Sequence, residues 1–287
     1  MSNKRKGIAL FVITLVLILW SVDFIGIEYM MSYASPGAYS LLRLGICCVV
    51  MLILCRVRNG GFRVDRKDLP RLAISGACAM TIYLTLENLG VQMTSAALSS
   101  LMLSTVPIFG ILGDRIFFHR RITPLKIGCI LVSVFGVYLM VAGDLSPGRL
   151  AGMCVTLTAA AVWAFQIAYV KPLYERYDVL TILTGIFLSG FLIQIPVTLI
   201  TGFHFVLLPQ TAAVTIATSL GCLLLGEAGY LFAIGNLSVT TVSSFENLIP
   251  VVTILLSFLV FGTTLTPLQF FAVFLIVGSV MVIAWKE

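Results

Sequence analysis

Apolar residues run along this chain in blocks of about twenty, each long enough for a helix that crosses about 30 Å of hydrocarbon. Ten such blocks are predicted, at 8–29, 37–55, 71–91, 94–113, 124–143, 150–170, 179–201, 210–234, 238–261 and 265–284. The stretches between them are short, which makes consecutive helices antiparallel neighbours in one bundle. The longest polar stretch, Arg56 to Pro70, is a charged loop and leaves no room for a soluble catalytic or nucleic-acid-binding domain.

The second half of the pattern repeats the first at an offset of 143 residues. Trp20 falls on Trp163, Pro107 on Pro250, and Ile122-Thr123-Pro124-Leu125 on Leu265-Thr266-Pro267-Leu268. Thr123 and Thr266 each precede a proline suited to the first helical turn, so the helix starts repeat as well as the composition. A unit with an odd number of spans puts its second copy into the bilayer from the opposite side. The expected fold is therefore an all-α integral membrane protein of ten transmembrane helices, two inverted five-helix repeats at 1–143 and 144–287. Pro107 and Pro250 fall in the middle of the fourth and ninth spans, where each is expected to kink or unwind the helix beside a central cavity.

Composition agrees: 60% of residues are hydrophobic, 10% charged, and mean hydropathy is +1.09, too little polar surface to cover a soluble globule. The net charge of +6 matters through its placement. With the amino terminus inside, Lys4, Arg5, Lys6, Arg56, Arg58, Arg63, Arg66, Lys67, Arg71, Arg115, Arg120, Arg121, Lys126, Lys171, Arg176 and Lys286 all fall on the inner side. Arg149 alone falls outside and Arg43 alone within a span. This asymmetry predicts that both termini are cytoplasmic, in a multi-pass protein of the plasma or inner membrane. Lys4-Arg5-Lys6 and the apolar run after it imitate a signal peptide, but the run continues through Tyr29 and reads as a retained first span. The seven cysteines form no C-x-x-C pair, and His119 and His204 stand apart from any Cys or Glu cluster, so no disulfide, metal or other cofactor is expected.

Ionisable groups inside a span cost about 2.5–3.5 kcal/mol on insertion scales, so each asks for a role. Asp23, Arg43 and Glu87 are placed in the outer third of the membrane, and Glu227 and Glu246 nearer its cytoplasmic half. Glu28 and Asp114, close to span ends, read as interfacial charges. Arg43 has Asp23 and Glu87 as possible partners at its depth. Four carboxyls facing one guanidinium favour cations, zwitterions or neutral solutes over phosphates and dicarboxylates. Trp20, Trp163, Gln166 and Tyr83 add amphipathic surface for holding a small organic molecule. The candidate substrate-binding residues are thus Trp20, Asp23, Glu87, Trp163, Gln166, Glu227 and Glu246. Glu87, Glu227 and Glu246 are also the candidates for exchanging protons, the competing reading being that they only hydrogen-bond neighbouring helices. No catalytic constellation such as paired aspartates or a His-Glu metal set is present, which argues against an enzyme.

Several fragments together resemble the ten-helix EamA-type branch of the drug/metabolite transporter superfamily. They are Leu19-Trp20-Ser21, Val91-Gln92-Met93-Thr94-Ser95-Ala96-Ala97, Thr105-Val106-Pro107 and Ile122-Thr123-Pro124 followed by Gly128 and Gly136. The second half repeats the match with Val162-Trp163-Ala164, Leu237-Ser238-Val239-Thr240-Thr241, Leu248-Ile249-Pro250-Val251-Val252 and Leu265-Thr266-Pro267. The resemblance implies a secondary carrier, typically an exporter of amino acids, amines or drug-like metabolites, with the path among helices one, three, four, six, eight and nine. Trp20-Ser21 and Trp163-Ala164 depart from the family's usual Trp-Gly, and Arg120 and Thr263 from its usual acidic residue. A phosphate or nucleotide-sugar exchanger and a ligand sensor that does not transport remain alternatives. The expected partners are a small-molecule substrate and the lipid bilayer, with no nucleic acid, and the bundle is compatible with a monomer.

Overall fold

The computed structural model describes residues 3–118, 123–141, 146–237, 242 and 245–285. The expectations at His119, Arg120, Arg121, Ile122, Ser238 to Thr241 and Lys286, and those on the side chains of Lys4, Asp114 and Arg115, lie outside the described residues. Within them the secondary structure is helical. The helices are α1 (Asn3–Met30), α2 (Pro36–Asn59), α3 (Leu69–Met93), α4 (Ala96–Leu103), α5 (Val106–Phe118) and α6 (Pro124–Val141). They continue with α7 (Pro147–Val170), α8 (Val179–Thr201), α9 (Pro209–Ile234), α10 (Ile249–Phe261) and α11 (Pro267–Trp285). Among the described residues six segments are long and apolar enough to cross a membrane: Arg5–Met30, Pro36–Asn59, Leu69–Met93, Pro147–Glu175, Val179–Thr201 and Pro209–Ile234. Shorter apolar helices, Ala96–Leu112, Pro124–Leu139, Ile249–Phe261 and Pro267–Ser279, occupy the remaining expected spans.

Local chemistry sets the helix ends. Prolines open α2, α6, α7, α9 and α11, where the missing N–H has no intrahelical partner to lose. The Thr123 hydroxyl accepts from the Lys126 N–H at 3.4 Å. At α11 the cap is reciprocal: Thr266 Oγ1 accepts from Gln269 N (3.3 Å) while Gln269 Oε1 accepts from Thr266 N (2.9 Å). Gly60 ends α2 at φ +69° and Gly262 ends α10 at φ +68°, the left-handed conformation that disfavours a side chain. Glu28, expected as an interfacial charge, reaches from α1 to accept the Ala96 N–H at 2.7 Å, so it caps α4 together with Ser95.

Two features depart from straight spans. Wide π-turns, Ala77–Tyr83 in α3 and Thr218–Leu225 in α9, lie within two residues of the 143-residue offset from each other. The fourth span is interrupted at Ser104–Thr105, and a turn at Asn247–Leu248 precedes α10. Pro107 and Pro250 thus stand in the first turn of a new helix rather than inside a continuous one. The physical reason is the one that favours proline at any helix start: ending the previous helix first removes the lost hydrogen bond and the clash.

The two halves interlock. α1 packs against α9 and α10, α7 packs against α3, α4 and α5, α2 lies along α8, and α6 lies along α11. Small residues permit the close approaches. A Cβ at Gly152 of α7 would lie 2.6 Å from Met93 Cβ, and one at Gly136 of α6 would lie 2.7 Å from an Ile276 side-chain carbon of α11. The outward faces of α6 and α11 carry Leu131, Phe135, Tyr138, Phe270, Phe271 and Phe274, all exposed, as lipid-facing surfaces are.

Candidate functional site

A cavity of about 1160 Å³ lies between α1, α3, α4, α5, α7, α9 and the start of α10. At one end it reaches Arg71 at the start of α3 and the exposed Lys171 and Glu175 after α7. At its other end the lining residues Phe24 and Leu103 join a packed cluster with Ile27, Met30, Tyr39, Val91 and Ala96. That end also carries a short zipper between the α1–α2 and α8–α9 loops. Ser35 N donates to His204 O at 2.9 Å and Val206 N to Tyr33 O at 2.8 Å, which pairs Ala34 with Phe205 in an antiparallel bridge. The Ser35 hydroxyl adds a bond to Gly202 O at 3.1 Å. The cavity is therefore closed at the zipper and open at the opposite end.

The structure brings most of the expected site residues into this one space. Trp20, Asp23, Glu87, Trp163, Glu227 and Glu246 all line it, as do Pro107 and Pro250. Gln166 does not: it is buried on α7 about 100° away from the cavity-lining Ile167, since successive helix residues turn by that angle.

Two aromatic platforms stand in the cavity wall, each built from both halves of the chain. The Trp163 ring of α7 sits 4.7 Å from that of Tyr83 in α3, and the Trp20 ring of α1 sits 5.2 Å from that of Tyr230 in α9. Each tyrosine stands beside a carboxyl. Tyr83 Oη donates to Glu87 Oε1 at 2.9 Å, and Tyr230 shares the cavity wall with Glu227 and Glu246. Gly226 makes the second platform possible, because a Cβ there would lie 2.5 Å from Trp20 Nε1. Sequence reading missed Tyr230. The signal was its position three residues after Glu227, which puts the two on one helix face.

At the floor of the cavity Asp23 meets Arg43, taking one of the two partners open to that guanidinium. Arg43 Nη2 lies 2.8 Å from Asp23 Oδ1 and 2.6 Å from Oδ2, with a longer contact of 3.4 Å to Thr218 O. The guanidinium carbon stands 5.2 Å from the centre of the Tyr39 ring, whose hydroxyl in turn pairs with Thr218 Oγ1 at 2.8 Å. Arg43 is fully buried, and its Nε and Nη1 find no hydrogen-bond partner among the described residues. Asp23 is thus engaged by the arginine, whereas Glu87, Glu227 and Glu246 bring carboxyls to the cavity without a basic side chain bonded to them among the described residues.

Outside the membrane-spanning segments, near the open end, a polar clasp joins the α2–α3 loop to the start of α8. Arg176 Nη1 bonds Asp68 Oδ1 at 2.6 Å and Nη2 bonds Asp65 Oδ2 at 3.1 Å, while Tyr177 Oη donates to Asp68 Oδ2 at 2.6 Å. Asp178 caps α8 by accepting from Thr181 N (3.1 Å) and Oγ1 (2.6 Å), and Asn59 Nδ2 donates to it at 3.0 Å. Burial works against its charged form, but these bonds outweigh it and hold the Asp178 carboxyl below the usual carboxylate value. Among the described residues no group of three or more His, Cys, Asp or Glu side chains could hold a metal ion.

The comparisons fit this architecture. A solved crystal structure superposes with a TM-score of 0.69 over 98% of this chain and 100% of its own, at 16% identity, a likeness of fold. An uncharacterized transporter of Archaeoglobus fulgidus is 26% identical over 179 residues, 62% of this chain and 63% of the relative, so the chain spans just under two thirds of that relative's length. A probable terminal-alkyne amino-acid exporter of Streptantibioticus cattleyicolor is 26% identical over 277 residues, 96% of this chain and 93% of the relative. The model of the EamA-like transporter family matches twice, over residues 7–142 and again over 150–285. With a multi-pass apolar bundle, a cavity in its interior and both matches covering nearly the whole length, the chain belongs to the EamA-like transporter family.

Proposed function

We propose that this chain is a secondary active transporter, working as an exporter, that moves small organic solutes such as amino acids, amines or drug-like metabolites by alternating access. In this reading ten spans form two inverted five-helix units that meet near residue 143, both termini are cytoplasmic, and the membrane is the plasma or inner membrane. The duplicated units are supported by the double family match and by the reciprocal packing, in which the first helix of each half lies against the third and fourth spans of the other. In this reading the open end of the cavity is cytoplasmic, which the basic residues Arg71 and Lys171 there support.

The single observation that carries the proposal is the cavity itself, polar at its centre, open at one end and zipped at the other. A solute enters from the cytoplasm, lies between the Trp163–Tyr83 and Trp20–Tyr230 platforms, and meets the carboxyls of Glu87, Glu227 and Glu246. Rocking of the two halves then closes the cytoplasmic mouth and parts the zipper. At least one of the three glutamates takes up a proton as solute leaves, because a carboxyl with no bound cation is cheapest in hydrocarbon when neutral. The relative from Streptantibioticus cattleyicolor, by its name, favours amino acids within the solute class.

The test is flux of labelled amino acids and amines through proteoliposomes, with and without a pH gradient. Accumulation driven by the gradient is expected, and it should be lost when Glu87, Glu227 and Glu246 are all changed to Gln. Equal dependence on the gradient in the triple variant would end the coupling proposal, and absence of flux for every solute would end the transport reading.

A further inference from the structure

The zipper at the closed end of the cavity has a counterpart in the sequence of the other half. Ser35 and Asp178 stand 143 residues apart, each the N-cap of the helix that follows, with nearly equal backbone angles (φ −69°, ψ 148° and φ −68°, ψ 156°). On the facing loops Gly61 and Gly202, at φ +129° and +94°, are each the last glycine before an extended stretch. They stand 141 residues apart, the offset at which the two π-turns begin, at Ala77 and Thr218. Carried across by these offsets, Tyr33, Ala34 and Ser35 become Arg176, Tyr177 and Asp178, while His204, Phe205 and Val206 become Arg63, Val64 and Asp65. The counterpart of the zipper thus falls in the polar clasp near the open end.

The two pairs of loops meet in equivalent places but in different ways. At the zipper the backbones pair, Val206 N donating to Tyr33 O at 2.8 Å and Ser35 N to His204 O at 2.9 Å. At the clasp the corresponding donor, Asp65 N, is held by a side chain, the Tyr177 hydroxyl, at 3.1 Å. Among the described residues neither Asp65 N with Arg176 O nor Asp178 N with Arg63 O makes a hydrogen bond. Val64 and Tyr177, the counterparts of Phe205 and Ala34, pack against one apolar cluster, so the two segments already lie together. Extended backbone with unpaired N–H and C=O groups is a ready template for pairing. The Tyr177 hydroxyl, which also donates to Asp68, and the Arg176 bonds to Asp65 and Asp68 hold the segments short of it. Glu175, next to Arg176, and Arg71, three residues after Asp68, line the mouth of the cavity.

We infer that the clasp is the open form of a second zipper. When the mouth closes, Tyr177 Oη releases Asp65 N, which donates to Arg176 O, while Asp178 N donates to Arg63 O and Val64 pairs with Tyr177 as Phe205 now pairs with Ala34. The Tyr177 hydroxyl is a latch that favours the mouth-open state. This inference rests on the transport reading above and on its inverted units, and it adds the contact that seals the second end.

The experiment adds Val64→Cys and Tyr177→Cys to a chain whose native cysteines are replaced and which carries Ala161→Cys in the cavity wall. In a non-hydrogen-bonded antiparallel pair the Cα atoms lie about 4.5 Å apart, within disulfide range. The pair is oxidised before a membrane-impermeant maleimide is supplied to one face of oriented vesicles. The disulfide should form, block labelling from the cytoplasmic face and leave the cavity cysteine labelled from the outer face without solute, with the resting pattern restored on reduction. Tyr177→Phe, made without the loop cysteines, removes one hydrogen bond that exists only while the mouth is open. Outer-face labelling at rest should then rise roughly 2- to 10-fold, the worth of one such bond. Cytoplasmic labelling that persists after the disulfide forms, no disulfide in a protein that still carries solute, or resting labelling unchanged in Tyr177→Phe would overturn the second zipper. If flux and solute-dependent outer labelling continue in those cases, the transport reading stands without it; absence of flux for every solute in the unaltered chain would end that reading itself.

Discussion

Replacing Asp23 by leucine should destabilise the bundle far more than its modest size suggests. Arg43 is fully buried, and of its nitrogens only Nη2 is hydrogen-bonded among the described residues, chiefly to the two Asp23 oxygens at 2.8 and 2.6 Å. What would remain after the substitution is the 3.4 Å contact to Thr218 O and the Tyr39 ring, the latter worth about 0.5–2 kcal/mol. Breaking one side of a buried pair typically costs about 3–5 kcal/mol, because the surviving charge is uncompensated. The expected loss lies in that range, a shift of roughly two to four orders of magnitude in the folding equilibrium. Removing both charges, as Asp23→Leu with Arg43→Met, should restore most of it, since an apolar pair of similar volume carries no desolvation cost. Unfolding in mixed micelles, followed by circular dichroism across a denaturing-detergent series, gives the four corners of the cycle. A single-variant loss below about 1 kcal/mol, or a double variant no better than the single, would show that Asp23 does not hold the arginine's charge.

Other consequences follow from local geometry. Ala34 and Phe205 face each other as a non-hydrogen-bonded antiparallel pair, for which Cα atoms lie about 4.5 Å apart, within disulfide range. The pair Ala34→Cys and Phe205→Cys should therefore cross-link on oxidation and stop flux, with recovery on reduction; flux that continues in the cross-linked protein would contradict a gate at the zipper. Gly152→Val should destabilise by about 1–3 kcal/mol through collision with Met93, and unchanged thermal stability would show that α3 and α7 have room to part. The lowered value of Asp178 makes its cap stabilising above the ordinary carboxylate value of 3.8, and that contribution disappears as pH falls through the lower folded value. Acid unfolding curves of the unaltered protein and Asp178→Asn should differ near neutrality and converge at low pH; curves that stay parallel would refute the linkage.

Hydropathy alone located the six long spans, because a helix that must cross lipid needs a run of apolar residues and little else. The position of the cavity was legible in the carboxyls and tryptophans of the interior, whose cost in hydrocarbon demands a polar space to face. Three features were hidden for physical reasons. The π-turns at Ala77–Tyr83 and Thr218–Leu225 change the winding of a helix without changing its hydrophobic pattern. Pro107 and Pro250 marked where the backbone is interrupted, yet a proline suits a helix start as well as a kink, and only the tertiary fold decides between them. Gln166 looked equivalent to its neighbours because a span buried on several sides gives no sequence signal for the direction of one polar residue.

Labelling of a single cysteine tests directly whether the chamber opens to one side of the membrane at a time. In a chain with its seven native cysteines replaced, Ala161→Cys in the cavity wall is exposed to a membrane-impermeant maleimide from either face of oriented vesicles. Labelling from the cytoplasmic face at rest is predicted, with labelling from the outer face appearing only when transported solute is supplied. In a chain that also carries Ala34→Cys and Phe205→Cys, oxidised to the disulfide before the maleimide is added, the outer-face labelling should vanish. Simultaneous labelling from both faces, or labelling from neither, would contradict a chamber with alternating access.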